Sequence, residues 1–182
     1  MTIKIMDMAK ALISATLLLL LISRAFGQVT TEKIHIVWPE EYKWKVGSDM
    51  ESGYIRVLTL VPANEKIGKW TIYVEMMKIW GAKDVPMDSV MTRMFNTAKR
   101  NAPKATVQII EKNEDVENTS IIFKIEAARL HNSKKPQSQL YYVVQGESSL
   151  FSNLVAIKEK TLPEPFIEKW KGIFKTSRLI WE

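Results

Sequence analysis

The chain has 182 residues, a formal charge of +6 and no cysteine. That length suits one domain able to bury its own core, and the missing thiols exclude disulfide stapling, zinc-finger, thiol-redox and cysteine-nucleophile chemistry. Lys4, Lys10, Arg24 and Asp7 account for +2 of the charge, so the remainder carries about +4, interspersed rather than clustered.

Residues 1–27 read as a signal peptide. Lys4 and Lys10 precede a weakly polar to apolar run, Ala11 to Ile22, with five consecutive leucines from Leu17 to Leu21. Ala25-Phe26-Gly27 sets small residues where signal peptidase needs them. A membrane span needs about 20 apolar residues, so cleavage after Gly27 is the better reading and an uncleaved N-terminal anchor the alternative. Without a cysteine at the cleavage point a lipid anchor is excluded. The expected product is a secreted or periplasmic protein of a bacterial kind, starting at Gln28 and without a stable membrane anchor, whose single α+β domain spans 28–182.

The domain opens with a β-branched run, Lys33 to Trp38, stopped by Pro39. Glu40 to Gly53 reads as a loop with a turn of helix or a short strand around Tyr42 to Val46. Tyr54 to Val61 is nearly all apolar, the pattern of a strand buried on both faces. After Pro62, Lys69 to Met77 forms a hairpin partner with Trp70, Ile72, Val74 and Met76 on one face. The period then changes. Met87, Val90, Met91, Met94, Phe95 and Ala98 fall at helical spacing, with Pro86 in the first turn, Asp84 or Asp88 as cap, and Lys99-Arg100 at the C-terminal end of the dipole.

Four strands are expected next: Ala105 to Lys112, Thr119 to Ala128, Ser138 to Gln145 and Leu150 to Lys158. A second helix, Pro163 to Thr176, carries Phe166, Ile167, Trp170, Ile173 and Phe174 on one stripe. The result is an α+β fold, an antiparallel sheet of about six or seven strands flanked by two helices, in the order ββαββββα. Apolar strands need cover on both faces, which implies an α/β/α sandwich.

From Lys33 to Trp181 this element order, with Trp170 in the last helix, resembles the PsbP-like fold. An extrinsic photosystem subunit shares that fold with a Ran-binding nuclear import factor and many small bacterial exported proteins. The resemblance implies architecture only, since that fold hosts unrelated roles. A cystatin-like or cone-shaped α+β roll is the alternative.

No catalytic constellation stands out. His35 alternates with Ile34 and Ile36 on the solvated side of a strand, and His131 lies in a basic loop with Arg129, Lys134 and Lys135. No metal-ligand spacing, phosphate-cradling glycine loop or Gly-x-Ser-x-Gly elbow occurs, so no cofactor or metal is expected. Glu75, Glu111, Glu126 and Glu147 could supply a carboxylate pair, but strand-face carboxylates are ordinarily exposed and solvated. Nucleic-acid binding lacks a basic helix or an aromatic-basic strand motif.

The aromatic and methionine content suggests contact surfaces. Trp38, Trp44 and Trp80 lie at segment ends, where an apolar ring with a polar N–H suits a half-wet cleft. Met91 and Met94 on the first helix form a flexible apolar strip, and Tyr142 lies on a facing strand. These six are the candidate ligand or partner surface. The expected function is a non-enzymatic exported binding or accessory protein with an unknown protein or envelope component as partner. The alternative is a small-ligand or lipid carrier with an aromatic, methionine-lined pocket.

Overall fold

The computed structural model describes residues 30–115, 119–132 and 134–182; the expected leader and its cleavage after Gly27 lie outside them. Glu32–Trp181 form the larger of two compact units. Within the larger unit the order is β1 (Glu32–His35), β2 (Trp44–Ser52), β3 (Ile55–Pro62), β4 (Ile72–Trp80), α1 (Met87–Asn101), β5 (Thr106–Asn113), β6 (Ser120–Ala127), β7 (Gln137–Gln145), β8 (Ser149–Ile157), α2 (Glu164–Lys175) and β9 (Arg178–Trp181). Among the described residues no helix is long and apolar enough to cross a membrane.

Seven strands pair antiparallel in the order β2-β3-β4-β8-β7-β6-β5. The chain runs up one side through β2, β3 and β4, crosses by α1 to the far edge, and returns by hairpins until β8 pairs with β4. Side chains alternate between two apolar cores. Phe123, Ile125, Tyr141, Val143 and Leu154 pack with α1, while Ile122, Leu140, Val74 and Val155 pack with α2. Adjacent residues of one strand join different cores, so the helices cover opposite faces. The α+β class and the two flanking helices are as the sequence indicates.

Four local expectations need correction. Glu40–Gly53 is a 3-10 turn, Glu40–Tyr42, followed by the nine-residue edge strand β2. The chain end forms β9, which pairs antiparallel with β1 in a separate two-stranded ribbon. Trp70 falls before β4 and packs against the α1 core, not with Ile72 and Val74. No side chain caps α1; Asp84 adopts positive φ and the Asp88 carboxylate accepts from Lys112 Nζ at 2.8 Å.

Both sheet edges are interrupted. β2 shifts register between Val46 and Ser48, and β5 between Ile109 and Glu111. A bulge bends an edge strand away from further pairing, which protects the exposed ladder groups. At Gly47, inside the first bulge, a Cβ would lie 2.9 Å from Ile67 Cδ1.

Two polar side chains fix the loops at one end of the sheet. The Glu32 carboxylate is buried and accepts from the main-chain N–H of Glu147 at 2.7 Å, that of Ser148 at 3.0 Å and Ser148 Oγ at 2.9 Å. Lys78 Nζ donates to the Glu32 carbonyl. The approach is possible because residue 146 is glycine; a Cβ there would overlap the carboxylate. Beside it, the Gln145 amide donates to the carbonyls of Ala82 and Gly146, both at 2.9 Å, and its oxygen accepts from Val85 N–H at 3.2 Å. This carboxamide ties the β7–β8 turn to the loop that launches α1, and so sets the height of that helix above the sheet.

Hydrogen bonds to a charged group contribute about 1.5–3 kcal/mol each, and a stranded buried partner costs a similar amount. Glu32→Ala is therefore expected to lower the urea midpoint by the equivalent of about 2–4 kcal/mol with an unchanged m-value. Gly146→Ala should cost a comparable amount, and the double variant should lose less than the sum, because both act on one contact. Additive losses would show that the carboxylate and the turn are not coupled.

Candidate functional site

The two faces of the sheet differ in how completely they are covered. On the α2 side Trp170 is fully buried at the centre of an aromatic cluster. Its ring centroid lies 6.2 Å from Trp38, 6.2 Å from Tyr42, 6.3 Å from Trp44, 5.9 Å from Phe166 and 6.2 Å from Phe174. Tyr142 stacks on Phe174 at 5.4 Å. The indole N–H groups of Trp44 and Trp170 and the Asn153 carboxamide are buried without hydrogen-bond partners among the described residues. Each such orphan costs about 1–3 kcal/mol, whereas burying one tryptophan of roughly 150–250 Å² at ~25 cal/mol/Å² gains about 4–6 kcal/mol. Packing wins, and this face is a sealed core.

The α1 side is open. α1 packs most closely on β6, because its crossover runs from β4 to the far edge of the sheet. Between the helix and β3, β4 and β8 it leaves a groove of about 720 Å³. The floor comes from alternate residues: Ile55 on β3, Glu75, Met77 and Ile79 on β4, Leu150 and Leu154 on β8, and Gln139 and Tyr141 on β7. The roof is Val90, Met94 and Ala98, with Ser89, Arg93 and Thr97 toward solvent. A smaller cavity of about 210 Å³ shares Ala98, Asn101 and Gln139 with it. Ligand sites commonly measure 300–1,000 Å³, with mostly apolar walls and a few polar groups.

Of the polar groups, Glu75 and Tyr141 lie on one rung of the sheet, and Tyr73 and Gln139 on a neighbouring one on the same face. The cross-strand register of the first rung runs Thr59, Glu75, Leu154, Tyr141, Phe123. Tyr141 Oη donates to Gln139 Oε1 at 2.9 Å. Gln139 Nε2 in turn donates to Tyr73 Oη at 3.3 Å, and Gln137 Nε2 to the same oxygen at 3.4 Å. Tyr141 is held flat against Phe123, ring centroids 4.8 Å apart. Burial, reinforced by the Glu75 charge, pushes Tyr73 up to about 12. Burial likewise raises Tyr141, with Tyr73 and Glu75 adding to it. Among the described residues Glu75 has no hydrogen bond or ion pair, and burial raises its carboxyl above the ordinary value.

The six sequence candidates do not form one site. Trp38, Trp44 and Tyr142 belong to the α2 core. Trp80 ends β4 on the face of Lys78, whose Nζ lies 5.2 Å from its ring. Met91 and Met94 pack against the α1 core, and only Met94 lines the groove. Among the carboxylates, Glu126 is part-buried with Lys124 at 3.1 Å and accepts from Leu162 N–H at 2.7 Å. Glu111 pairs with Lys175 at 2.7 Å, and Glu147 is exposed on its turn. Glu75 and Glu126 are thus not the solvated strand-face carboxylates expected. His35 and His131 are both exposed, and among the described residues no cluster of His, Asp or Glu is placed to hold a metal ion.

No family model matches the chain, and no curated protein matches it. The geometry of the groove therefore carries the functional argument.

Glu75 should leave a mark on stability. Its raised carboxyl means that, between the ordinary value and the folded one, the folded state holds more protons than the unfolded state, so stability falls as pH rises through that window. Glu75→Gln removes the titration. In urea melts the variant is expected to exceed the wild type at about pH 7 and to match it at about pH 3. Parallel pH profiles would contradict a buried, unpaired carboxyl.

Proposed function

We propose that the chain is an exported, non-enzymatic binding protein whose groove beneath α1 takes a small apolar ligand. The observation that carries this reading is the groove itself, about 720 Å³ with Met77, Ile79, Leu150 and Leu154 in its floor. It favours the carrier reading over a purely protein-docking one, because the apolar surface is concave rather than flat. Export rests on the leader, Lys4 to Gly27. The PsbP-like resemblance stays part of the proposal and supplies no chemistry of its own.

The uncharged dye Nile red tests the groove. It is expected to bind the full chain at one site with blue-shifted emission. Ala98→Phe and the milder rim variant Ser89→Phe should each weaken that binding by about tenfold or more, equal to 1.4 kcal/mol. Trp38→Phe and Trp44→Phe, on the sealed face, should leave it unchanged. No dye uptake, or equal uptake by folded Ala98→Phe and Ser89→Phe, overturns the proposal.

A further inference from the structure

The walls of the groove are mostly apolar, yet one carboxyl is set into its floor, on the same rung as Tyr141. Glu75 lies on the rung between Thr59 and Leu154 and makes no hydrogen bond or ion pair among the described residues. Among the described residues the other buried or half-buried carboxylates are all engaged: Glu32 by the turn at Gly146, Glu65 by Thr71, Glu111 by Lys175, and Glu126 by Lys124 and Leu162. A buried carboxylate without a partner is costly, and the fold maintains this one where a ligand would lie against it.

The groups facing Glu75 supply no counter-charge. β3 offers Thr59, β8 offers Leu154, β7 offers Tyr141 and Gln139, and β4 itself offers Tyr73. From α1 the charged residue is Arg93, which is exposed on the rim and forms no ion pair with Glu75. Its charge is screened over about 8–10 Å in physiological salt. Tyr141 gives its hydroxyl proton to Gln139, whose amide donates in turn to Tyr73 Oη.

We propose that the groove is selective for a cationic amphiphile, an apolar chain or ring body whose ammonium group pairs with Glu75. This rests on the reading of the groove as a ligand site and names the chemistry of its occupant. An ammonium donates a charge-assisted hydrogen bond, about twice as strong as a neutral one. A ligand carboxylate brings a like charge beside Glu75, and an alcohol supplies only a neutral contact. Burial raises the Glu75 carboxyl and a paired ammonium lowers it again, so binding of the cation strengthens as pH rises through its titration.

Calorimetric titration of the full chain with dodecylamine, dodecanol and dodecanoate, each below its micellar concentration, separates these cases. Dodecylamine is expected to bind the wild type about tenfold or more tightly than dodecanol. Glu75→Gln should bring the two within about twofold, through loss of the amine's advantage. Arg93→Gln should leave the preference for the amine in place. Equal affinity of the wild type for amine and alcohol, or tighter binding of dodecanoate, overturns the head-group assignment while the groove reading stands. Failure of all three to bind removes the groove reading, and the inference with it.

Discussion

Everything in this fold follows from the two-faced burial of β8. Its residues from Ser149 to Ala156 are all buried, and neighbours such as Leu154 and Val155 enter different cores. A central strand that is apolar on both sides leaves neither face of the sheet free for water, so each needs a helix. α2 meets this demand more fully than α1, with Trp170 at the hub of its ring cluster. α1 meets it in part, because the chain must also cross from β4 to β5. A helix of fifteen residues placed near β6 cannot also cover β3 and β4. The groove is the consequence of that topology.

Where a helix leaves half a face uncovered, the exposed floor would ordinarily be polar. Here it is built of Met77, Ile79, Leu150 and Leu154, with one carboxyl, Glu75, among them. The carboxyl of Glu75 acts against stability near neutral pH, since burial disfavours its charge. A glutamine of nearly the same shape would remove that penalty. Local choices that work against stability mark functional positions more often than structural ones. The Trp44 and Trp170 N–H groups are a different case, because the rings that carry them gain more by burial than the orphaned donors cost.

Much of the architecture was legible in the sequence, for identifiable reasons. The helices announced themselves because Met87, Val90, Met94 and Ala98 keep one stripe, as do Ile167, Trp170 and Phe174. The inner strands β6, β7 and β8 were legible because their apolar runs have no other use. β2 was not: as a bulged edge strand it shows Lys45, Asp49 and Glu51 to solvent and breaks its period at Gly47. β9 was too short to register, and its partner β1 lies far away in the chain. The site was the least legible part. The face of β4 bearing Tyr73, Glu75 and Met77 reads as a solvated face in isolation, and only the helix above it turns it into a floor. The tryptophan candidates lie elsewhere: Trp38 and Trp44 pack in the other core, and Trp80 shares the face of Lys78.

The central claim is that one face of the sheet is accessible and the other sealed. The absence of native cysteine allows a direct test by single substitutions, Met77→Cys in the groove floor and Val155→Cys in the α2 core. With iodoacetamide under native conditions, the thiol at position 77 is predicted to react readily and to be shielded when dodecylamine is bound. The thiol at position 155 is predicted to react only at the rate of unfolding. Equal protection of both thiols in the folded protein would contradict the account.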